Sequence, residues 1–192
     1  MQVLRSADYK RMPWKNGKGE TVEIAVFPPD ASVEKFDWRI STAAVVADGP
    51  FSTFDEIDRT LSVLTGEGIE LTVADHPPVL CYRHSDPYTF PADETTTARL
   101  VGDPITDLNV MSRRGHSAHR VVRHSFDREL EVGSHTAEAF IIFASPCEIK
   151  NTGDTLEYLD AIHLDPGEKA TVQSTGPAIV FVVEVLVDMG GI

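Results

Sequence analysis

Short runs in which apolar and polar residues alternate at every second position dominate the chain. One such run covers residues 69–73, and another, 61–64, precedes the turn at 66–68. Alternation with period two is typical of a strand that buries one face, and the two glycines of the turn can adopt positive φ. The pattern predicts a β-hairpin over 61–73.

Three later segments are also typical of strands. Residues 139–144 form a short apolar run, and Tyr158, Ile162 and Leu164 are spaced to share one face of a strand. Residues 178–187 are almost continuously apolar and rich in valine, which favours a buried strand over a helix. Helical periodicity is scarce, while 12 prolines and 13 glycines indicate many turns. The chain is therefore predicted to be all-β, as a sandwich or a barrel.

The same order of elements occurs twice along the chain. It consists of a strand, a turn, a strand, a turn with proline and acidic residues, a strand, a Gly-Pro turn and a strand. The proline and acidic turns lie at 91–94 and 165–168, and the Gly-Pro turns lie at 102–104 and 175–177. A β unit that recurs within one chain predicts a duplicated small barrel or jelly roll.

Composition and charge narrow the function classes. The chain has 192 residues, enough for one domain or two small halves, and its formal net charge is −13. Because an acidic surface repels phosphate backbones, we expect no nucleic-acid partner. We interpret the basic stretch 113–124 as a solvated connector between the two halves. Cys81 and Cys147 lie in apolar runs and are expected to be buried free thiols. Without a signal-like start or a long apolar run, we expect no membrane partner and, by elimination, a cytoplasmic location.

The first segment that could carry chemistry is the glycine-rich stretch 14–21. A Gly-x-Gly loop can hold phosphate where it follows a strand and opens a helix, but here a predicted strand, 22–27, comes after it. Trp14 and Asn16 beside a turn could stack on a ligand and hydrogen-bond it. The alternative is an ordinary turn in which Trp14 serves as packing.

The second segment is the predicted strand 36–41, whose alternation puts Arg39 and Ser41 on one face. If that face is the concave interior of a barrel, the guanidinium suits a carboxylate ligand, because it can donate two parallel hydrogen bonds. If it is the outer face, Arg39 is simply solvated. The sequence favours neither face over the other.

The third segment, 49–68, resembles the first motif of the cupins, in which two histidines and a glutamate precede a hydrophobic strand and a glycine turn. The spacing to the turn is kept, but Ser52 and Phe54, or the residue after each, stand where the histidines would be. Arg59 stands near the glutamate position. Such side chains cannot form a divalent-metal site, and the seven histidines of the chain are otherwise scattered. We therefore expect a cupin fold with no metal and no cofactor.

Five motifs occur in the order found in the HutD/Ves family: Trp-x-Asn-Gly-x-Gly-x-Thr at 14–21, Trp-Arg-Ile-Ser at 38–41, Gly-Pro-Phe-Ser at 49–52, Asp-Arg at 58–59 and Asp-Leu-Asn-Val-Met at 107–111. The chain resembles that family over most of 1–112 and more loosely to its end. The resemblance implies an all-β bicupin, a duplicated cupin β-barrel or jelly roll. Its first half, about 1–112, would carry the pocket, and its second half would be about 113–192. Carried over by position, the ligand-binding set is Trp14, Asn16, Arg39, Ser41, Phe51, Ser52, Arg59, Asn109 and Met111.

The resemblance also implies a function. HutD proteins are associated with tuning bacterial histidine utilisation, with formylglutamate or urocanate as candidate ligands, and Ves proteins with stress responses. The leading hypothesis is a metal-free binder of a small anionic metabolite. Arg39 or Arg59 would clamp a carboxylate. Hydrogen bonds to it would come from Asn16, Ser52 and Asn109, and an apolar wall would be formed by Trp14, Phe51 and Met111.

Two other classes stay open. A metal-independent isomerase or hydrolase acting on a small acid would need a base with a shifted pKa, for which Asp58 or Glu23 is the candidate. No enzymatic activity is attached to the family that the chain resembles. The third class is a protein-interaction module, and exposed edge strands would also permit a homodimer.

Overall fold

Extended strands joined by turns build the described part of the chain. The computed structural model describes residues 1–14 and 19–187, which form nineteen strands and one 3-10 turn, Ser6–Asp8. These residues divide into an N-terminal unit, Lys10–Ala118, and a C-terminal unit made of Met1–Tyr9 and His119–Val187. Within the described ranges, no helix has the length and apolar character needed to cross a membrane.

The N-terminal unit consists of two antiparallel sheets. Its strands are β2 (Lys10–Pro13), β3 (Glu20–Phe27), β4 (Trp38–Val45), β5 (Gly49–Pro50), β6 (Ile57–Thr65), β7 (Gly68–Val73), β8 (Val79–Tyr82), β9 (Tyr88–Pro91), β10 (Thr96–Val101) and β11 (Ile105–Arg113). The six-stranded sheet has the order β2-β3-β4-β11-β6-β9, and the four-stranded sheet has the order β5-β10-β7-β8.

The core of this unit contains side chains from both sheets. Leu61 and Val63 of β6 belong to one buried cluster with Ile69 and Leu71 of β7. Because alternate residues of a strand lie on the same face, the face of the six-stranded sheet that carries Leu61 and Val63 is the inner face of the unit.

The C-terminal unit also consists of two antiparallel sheets. Its strands are β1 (Gln2–Leu4), β12 (Ser117–Phe126), β13 (Glu129–Gly133), β14 (Glu138–Phe143), β15 (Cys147–Ile149), β16 (Thr155–Leu156), β17 (Ala161–Leu164), β18 (Lys169–Gln173) and β19 (Ala178–Val187). Their orders are β1-β17-β14-β19-β12 and β13-β18-β15-β16. Ala139, Ile141 and Phe143 of β14 form its buried core with Ile149 and Val172.

The two units repeat one topology, which confirms the predicted duplication. The order β9-β6-β11-β4 in the first unit corresponds to β17-β14-β19-β12 in the second. Likewise, β5-β10-β7-β8 corresponds to β13-β18-β15-β16. Two antiparallel sheets per unit, repeated within one chain, define the predicted all-β, duplicated jelly-roll class.

The predicted hairpin over 61–73 is wrong in its pairing. Both strands and the glycine turn are present, but β6 pairs with β11 and β9 while β7 pairs with β10 and β8. The turn is therefore a corner between two sheets, because neighbours from distant parts of the chain already occupy both edges of β6.

Two further details differ from the sequence predictions. The boundary between the two units falls between Ala118 and His119. Residues 1–9 belong to the C-terminal unit, because β1 pairs with β17. Tyr158, predicted to share a strand face with Ile162 and Leu164, lies in the loop before β17 and is exposed.

The corner at Gly66 yields a stability prediction. Its φ is +83°, and a Cβ there would lie 2.6 Å from the carbonyl oxygen of Pro104. We expect Gly66→Ala to lower the free energy of unfolding by about 2 kcal/mol in urea denaturation, since a side chain is strained in this conformation. Gly176→Ala is the control, because a Cβ at Gly176 meets nothing within 4 Å. Equal stability of the two variants would contradict this explanation.

Candidate functional site

Two arginines lie on the inner face of the six-stranded sheet, one on each side of Met111. Met111 of β11 is paired in register with Arg39 of β4 on one side and with Arg59 of β6 on the other. Arg59 precedes Leu61 by two residues, so its side chain is on the inner face. We call Arg39, Met111 and Arg59 the guanidinium row.

The next row of the same face is polar as well. Asn109 is paired with Ser41 on β4 and with Leu61 on β6, and Ser41 is in turn paired with Glu23 on β3. One step further, Asp107 is paired with Ala43. Alternation along four adjacent strands therefore brings residues from distant parts of the chain onto one buried surface.

Arg39 is held by a carboxylate. Its side chain is almost fully buried, and its Nε donates to Oε2 of Glu23 over 2.8 Å. Its Nη2 lies 3.9 Å from the sulfur of Met12. Among the described residues, Nη1 of Arg39 has no hydrogen-bond partner. The charge of this arginine is thus balanced, while part of its donor set is unused.

Arg59 is held by an amide and two aromatic rings. Its Nε donates to Oδ1 of Asn109 over 2.8 Å, and its Nη2 donates to the same oxygen. The ring of Phe51 lies 4.4 Å from the guanidinium carbon, and the ring of Phe90 lies 5.8 Å from it. These are distances at which an aromatic face attracts a cation. Nη1 has no hydrogen-bond partner within the described ranges.

Burial lowers the pKa of Arg59 to about 10, with Asp107 acting to raise it and Arg39 to lower it. The guanidinium is still a cation at neutral pH. The effect of Arg39 on it means that the two guanidiniums are within electrostatic reach of each other. Two buried like charges repel, and this repulsion would be relieved by an anion next to both.

Asp107 completes the arrangement. It has no solvent-exposed surface, and its Oδ1 accepts a hydrogen bond from Nδ2 of Asn109 over 2.5 Å. Its Oδ2 has no partner among the described residues. Burial raises the pKa of this carboxyl to about 6, against the opposing effect of Arg59. Asn109 therefore connects a buried acid to a buried cation, accepting from the cation and donating to the acid.

The chemistry of this inner face suits an anion. Cupins commonly hold a divalent cation, but here the matching face carries two guanidiniums and a thioether, which are not ligands for such an ion. Glu23 is already paired with Arg39. In the described ranges, no group of three or more His, Cys, Asp or Glu side chains is placed to share a metal ion. Unused N–H groups on two buried cations are instead what a carboxylate requires.

The structure brings most of the residues predicted for the pocket together. Arg39, Ser41, Arg59, Asn109 and Met111 share the inner face, and Phe51 covers Arg59.

Two further residues of the predicted set, Ser52 and Trp14, are described by the structure. Ser52 is exposed and lines a surface cleft of about 580 Å³. Trp14 donates its indole N–H to Oγ1 of Thr21 over 2.9 Å, and its ring packs where a Cβ of Gly19 would be. Asn16 lies outside the described residues.

The cleft and the guanidinium row have a common neighbour, although no residue of the row lines the cleft. This neighbour, Ile57, lines the cleft and precedes Arg59 by two residues on the same face of β6. It also packs in one buried cluster with Met111. Ile57 therefore connects the wall of the cleft to the guanidinium row.

Sequence reasoning missed Asp107 and assigned Asp58 a role that its position does not support. Asp58 alternates with Arg59 and so faces the other side of β6, where its Oδ1 accepts from Arg114 over 2.8 Å. Asp58 therefore cannot serve as a base for a ligand held on the inner face. The signal for Asp107 was its spacing, since it alternates with Asn109 and Met111 along one strand.

The duplicated topology defines the class: the chain is a bicupin, and the inner face of its first unit carries two buried arginines. Residues 6–182 match the family model HutD, and the chain belongs to the HutD family.

The relatives agree with this assignment. The chain is 38% identical over 113 residues to an uncharacterised 21.2 kDa protein from the hutC 3′ region of Pseudomonas putida, covering 58% of this chain and 57% of that protein. It is 36% identical over 118 residues to the protein Ves of Citrobacter koseri, covering 59% and 60%. These matches span less than two thirds of either relative.

Solved structures extend the likeness to nearly the whole chain. HutD from Pseudomonas fluorescens SBW25, determined in a formate condition, superimposes with a TM-score of 0.80 at 28% identity, covering 97% of this chain and 98% of that one. YhhW from Escherichia coli, a bacterial pirin, has a TM-score of 0.68 at 7% identity over 95% and 96%. At that identity the likeness to YhhW concerns the cupin-type fold alone.

Proposed function

We propose that the N-terminal unit binds a small carboxylate anion at the guanidinium row without a metal ion, in a role connected with histidine utilisation. The observation that carries the proposal is the pair of buried arginines, Arg39 and Arg59. Each is anchored through Nε, and each keeps Nη1 without a hydrogen-bond partner among the described residues. Neither Nη1 is among the fully buried side-chain atoms that lack a partner in the described residues, so both N–H groups border open space where an acceptor can reach them.

The second unit of the chain supports this reading of the first. Along β14 and β19, which correspond to β6 and β11, the core positions are Ala139, Ile141, Val180 and Val182. A jelly roll of this chain can therefore be built with an apolar interior. The buried Arg59 and its polar neighbours are not a requirement of the fold, which favours a functional reason for them.

The cleft beside the row supplies a route for a ligand. Its volume of about 580 Å³ lies within the usual range for small-molecule sites. A carboxylate entering past Ile57 would reach the unused N–H groups of Arg59, with Phe51 and Met111 as apolar contacts.

The relatives suggest which carboxylates to test. The similar Pseudomonas fluorescens protein bears the name HutD and was determined in a formate condition, and the similar Pseudomonas putida protein is from a hutC 3′ region. We therefore propose formate, formylglutamate and urocanate as the first ligands, with acetate for comparison.

Titration calorimetry of metal-free protein tests the proposal. We expect at least one of these anions to bind, and Arg59→Lys and Arg39→Lys to weaken its affinity at least about tenfold, because an ammonium keeps the charge but loses the planar fork. Keeping the charge also preserves the cation next to Asp107, so thermal melting should find both variants folded.

Arg99→Lys is the matched control. This arginine is exposed and pairs with Glu70 over 3.0 Å, so its replacement is expected to leave the affinity unchanged. If none of the four anions binds the wild-type protein, or if the three variants bind alike, the proposal is wrong.

A further inference from the structure

The charges on the inner face balance before any ligand is present. In the described residues, this face carries two cations, Arg39 and Arg59, and two carboxylates, Glu23 and Asp107. With both carboxylates ionised, the net charge of the cluster is zero. A bound monoanion would then leave one uncompensated negative charge in a buried place, which is strongly unfavourable.

One of the two carboxylates can remove this excess charge by taking up a proton. Glu23 already accepts a hydrogen bond from Nε of Arg39 over 2.8 Å. Asp107 has no exposed surface, and its Oδ2 has no partner among the described residues. An unpartnered, fully buried carboxylate oxygen is the place on this face where a proton is accepted at least cost.

The surroundings of Asp107 contain few other charges. Arg59 faces it from β6 through Asn109. The other charged pair of this inner face, Arg39 with Glu23, lies on β4 and β3. The opposite sheet contributes apolar core residues, Ile69, Leu71, Val73 and Ala98. The histidines of this unit, His76, His84 and His116, are exposed.

Resting on the proposed function, we infer that anion binding at the guanidinium row is coupled to the uptake of one proton by Asp107. The proton comes from solvent and adds to Oδ2 or Oδ1 of the carboxylate, so the cluster with its bound monoanion is again neutral. The site thus acts as a binder of an anion together with a proton, and its affinity falls as the solution becomes more alkaline.

The pKa of Asp107 supports this coupling. Burial raises it to about 6 in the absence of ligand. An added negative charge nearby raises it further, so near neutral pH the empty site has mostly lost this proton and the occupied site regains it.

Titration calorimetry with formate in two buffers of different ionisation enthalpy, at equal chloride concentration, counts the protons taken up. At about pH 7.5 we expect close to one proton per bound formate for the wild type. Over the range from about pH 6.5 to pH 8, the dissociation constant should rise by up to about tenfold per pH unit. Asp107→Asn should bind formate with no proton uptake and with an affinity independent of pH over this range.

Arg99→Lys, at an exposed position where the arginine pairs with Glu70 over 3.0 Å, is the matched control and should keep the proton uptake of the wild type. Glu23→Gln removes one negative charge from the inner face, so bound formate should leave the cluster neutral with Asp107 ionised and with little proton uptake. Formate binding that depends on Arg59 but involves no proton uptake in the wild type would overturn the coupling and leave the proposed function standing. No binding of any tested anion would overturn the proposed function itself. The wild-type proton count stands as a test even if Asp107→Asn fails to fold.

Discussion

Replacement of Arg59 by methionine is expected to lower the free energy of unfolding by about 3–5 kcal/mol at about pH 8, as measured by urea denaturation. Methionine keeps an unbranched apolar stem in the place of the arginine stem. It removes the cation next to a fully buried carboxyl, Asp107, and both donors to Oδ1 of Asn109. Leaving one partner of a buried charge pair alone is among the largest single-residue effects on stability.

Two comparisons separate this explanation from simple loss of packing. At about pH 5 the loss should be smaller, because Asp107 is then mostly protonated and no longer needs a cation. The double variant Arg59→Met with Asp107→Asn should recover part of the stability at about pH 8. Arg99→Met, at an exposed position, is expected to change stability by less than about 0.5 kcal/mol. A loss that is the same at both pH values would contradict the role assigned to Asp107.

The strands that sequence predicted best are those whose character is local. Residues 178–187 were predicted as a buried strand from their valine content, and β19 has these bounds. The paired turns of the internal repeat, likewise, are local signals that mark the ends of strands, and they revealed the duplicated topology.

Pairing between strands could not be predicted in the same way. The turn at 66–68 was predicted to join a hairpin, but β6 is paired on both edges by strands more distant in sequence. Strand β1 belongs to the C-terminal unit because it pairs with β17, which is far along the chain. Which strands pair is decided by burial in the whole fold, so strand pairing cannot be predicted from a short window of residues.

In the candidate site, too, the features that are local in sequence could be predicted, and those that depend on the whole fold could not. Alternation placed Arg39 and Ser41 on one face correctly, because period two is a property of any strand. Whether that face is inward depends on the second sheet, so the sequence left it undecided. Ser52 follows Phe51 by one residue, yet Phe51 covers Arg59 while Ser52 lines the cleft, since no strand alternation applies in the loop after β5.

Asp107 begins the Asp-Leu-Asn-Val-Met motif at 107–111, but the sequence analysis assigned it no role, because the motif does not show how its carboxylate is surrounded. Its importance arises from three contacts across strands: with Asn109 through a hydrogen bond, with Arg59 through charge, and with a core that excludes water. Leu108 and Val110 occupy the opposite face of β11, so the sequence does show that Asp107, Asn109 and Met111 share one face. What could not be inferred was how deeply that face is buried.

Asp107→Asn is expected to change how stability depends on pH. The pKa of Asp107 rises from 3.8 to about 6 on folding, so the folded protein holds this proton over a range where the unfolded chain has lost it. The stabilisation of the folded protein by this bound proton is fully present below about pH 3.8 and is lost as the pH rises through about 6. At 1.36 kcal/mol per pKa unit, this amounts to about 3 kcal/mol.

The quantity to measure is the difference in unfolding free energy between Asp107→Asn and the wild type, by urea denaturation from about pH 4 to about pH 8. It should move in favour of the variant by about 3 kcal/mol over this range, because asparagine has no proton to lose. Subtracting the wild-type curve removes the contributions of the other acidic residues. For Asp103→Asn, an exposed carboxylate, the corresponding difference should stay within about 0.5 kcal/mol. A flat difference for Asp107→Asn would mean that this carboxyl does not change its proton affinity on folding, and the charge balance on the inner face would then need another origin.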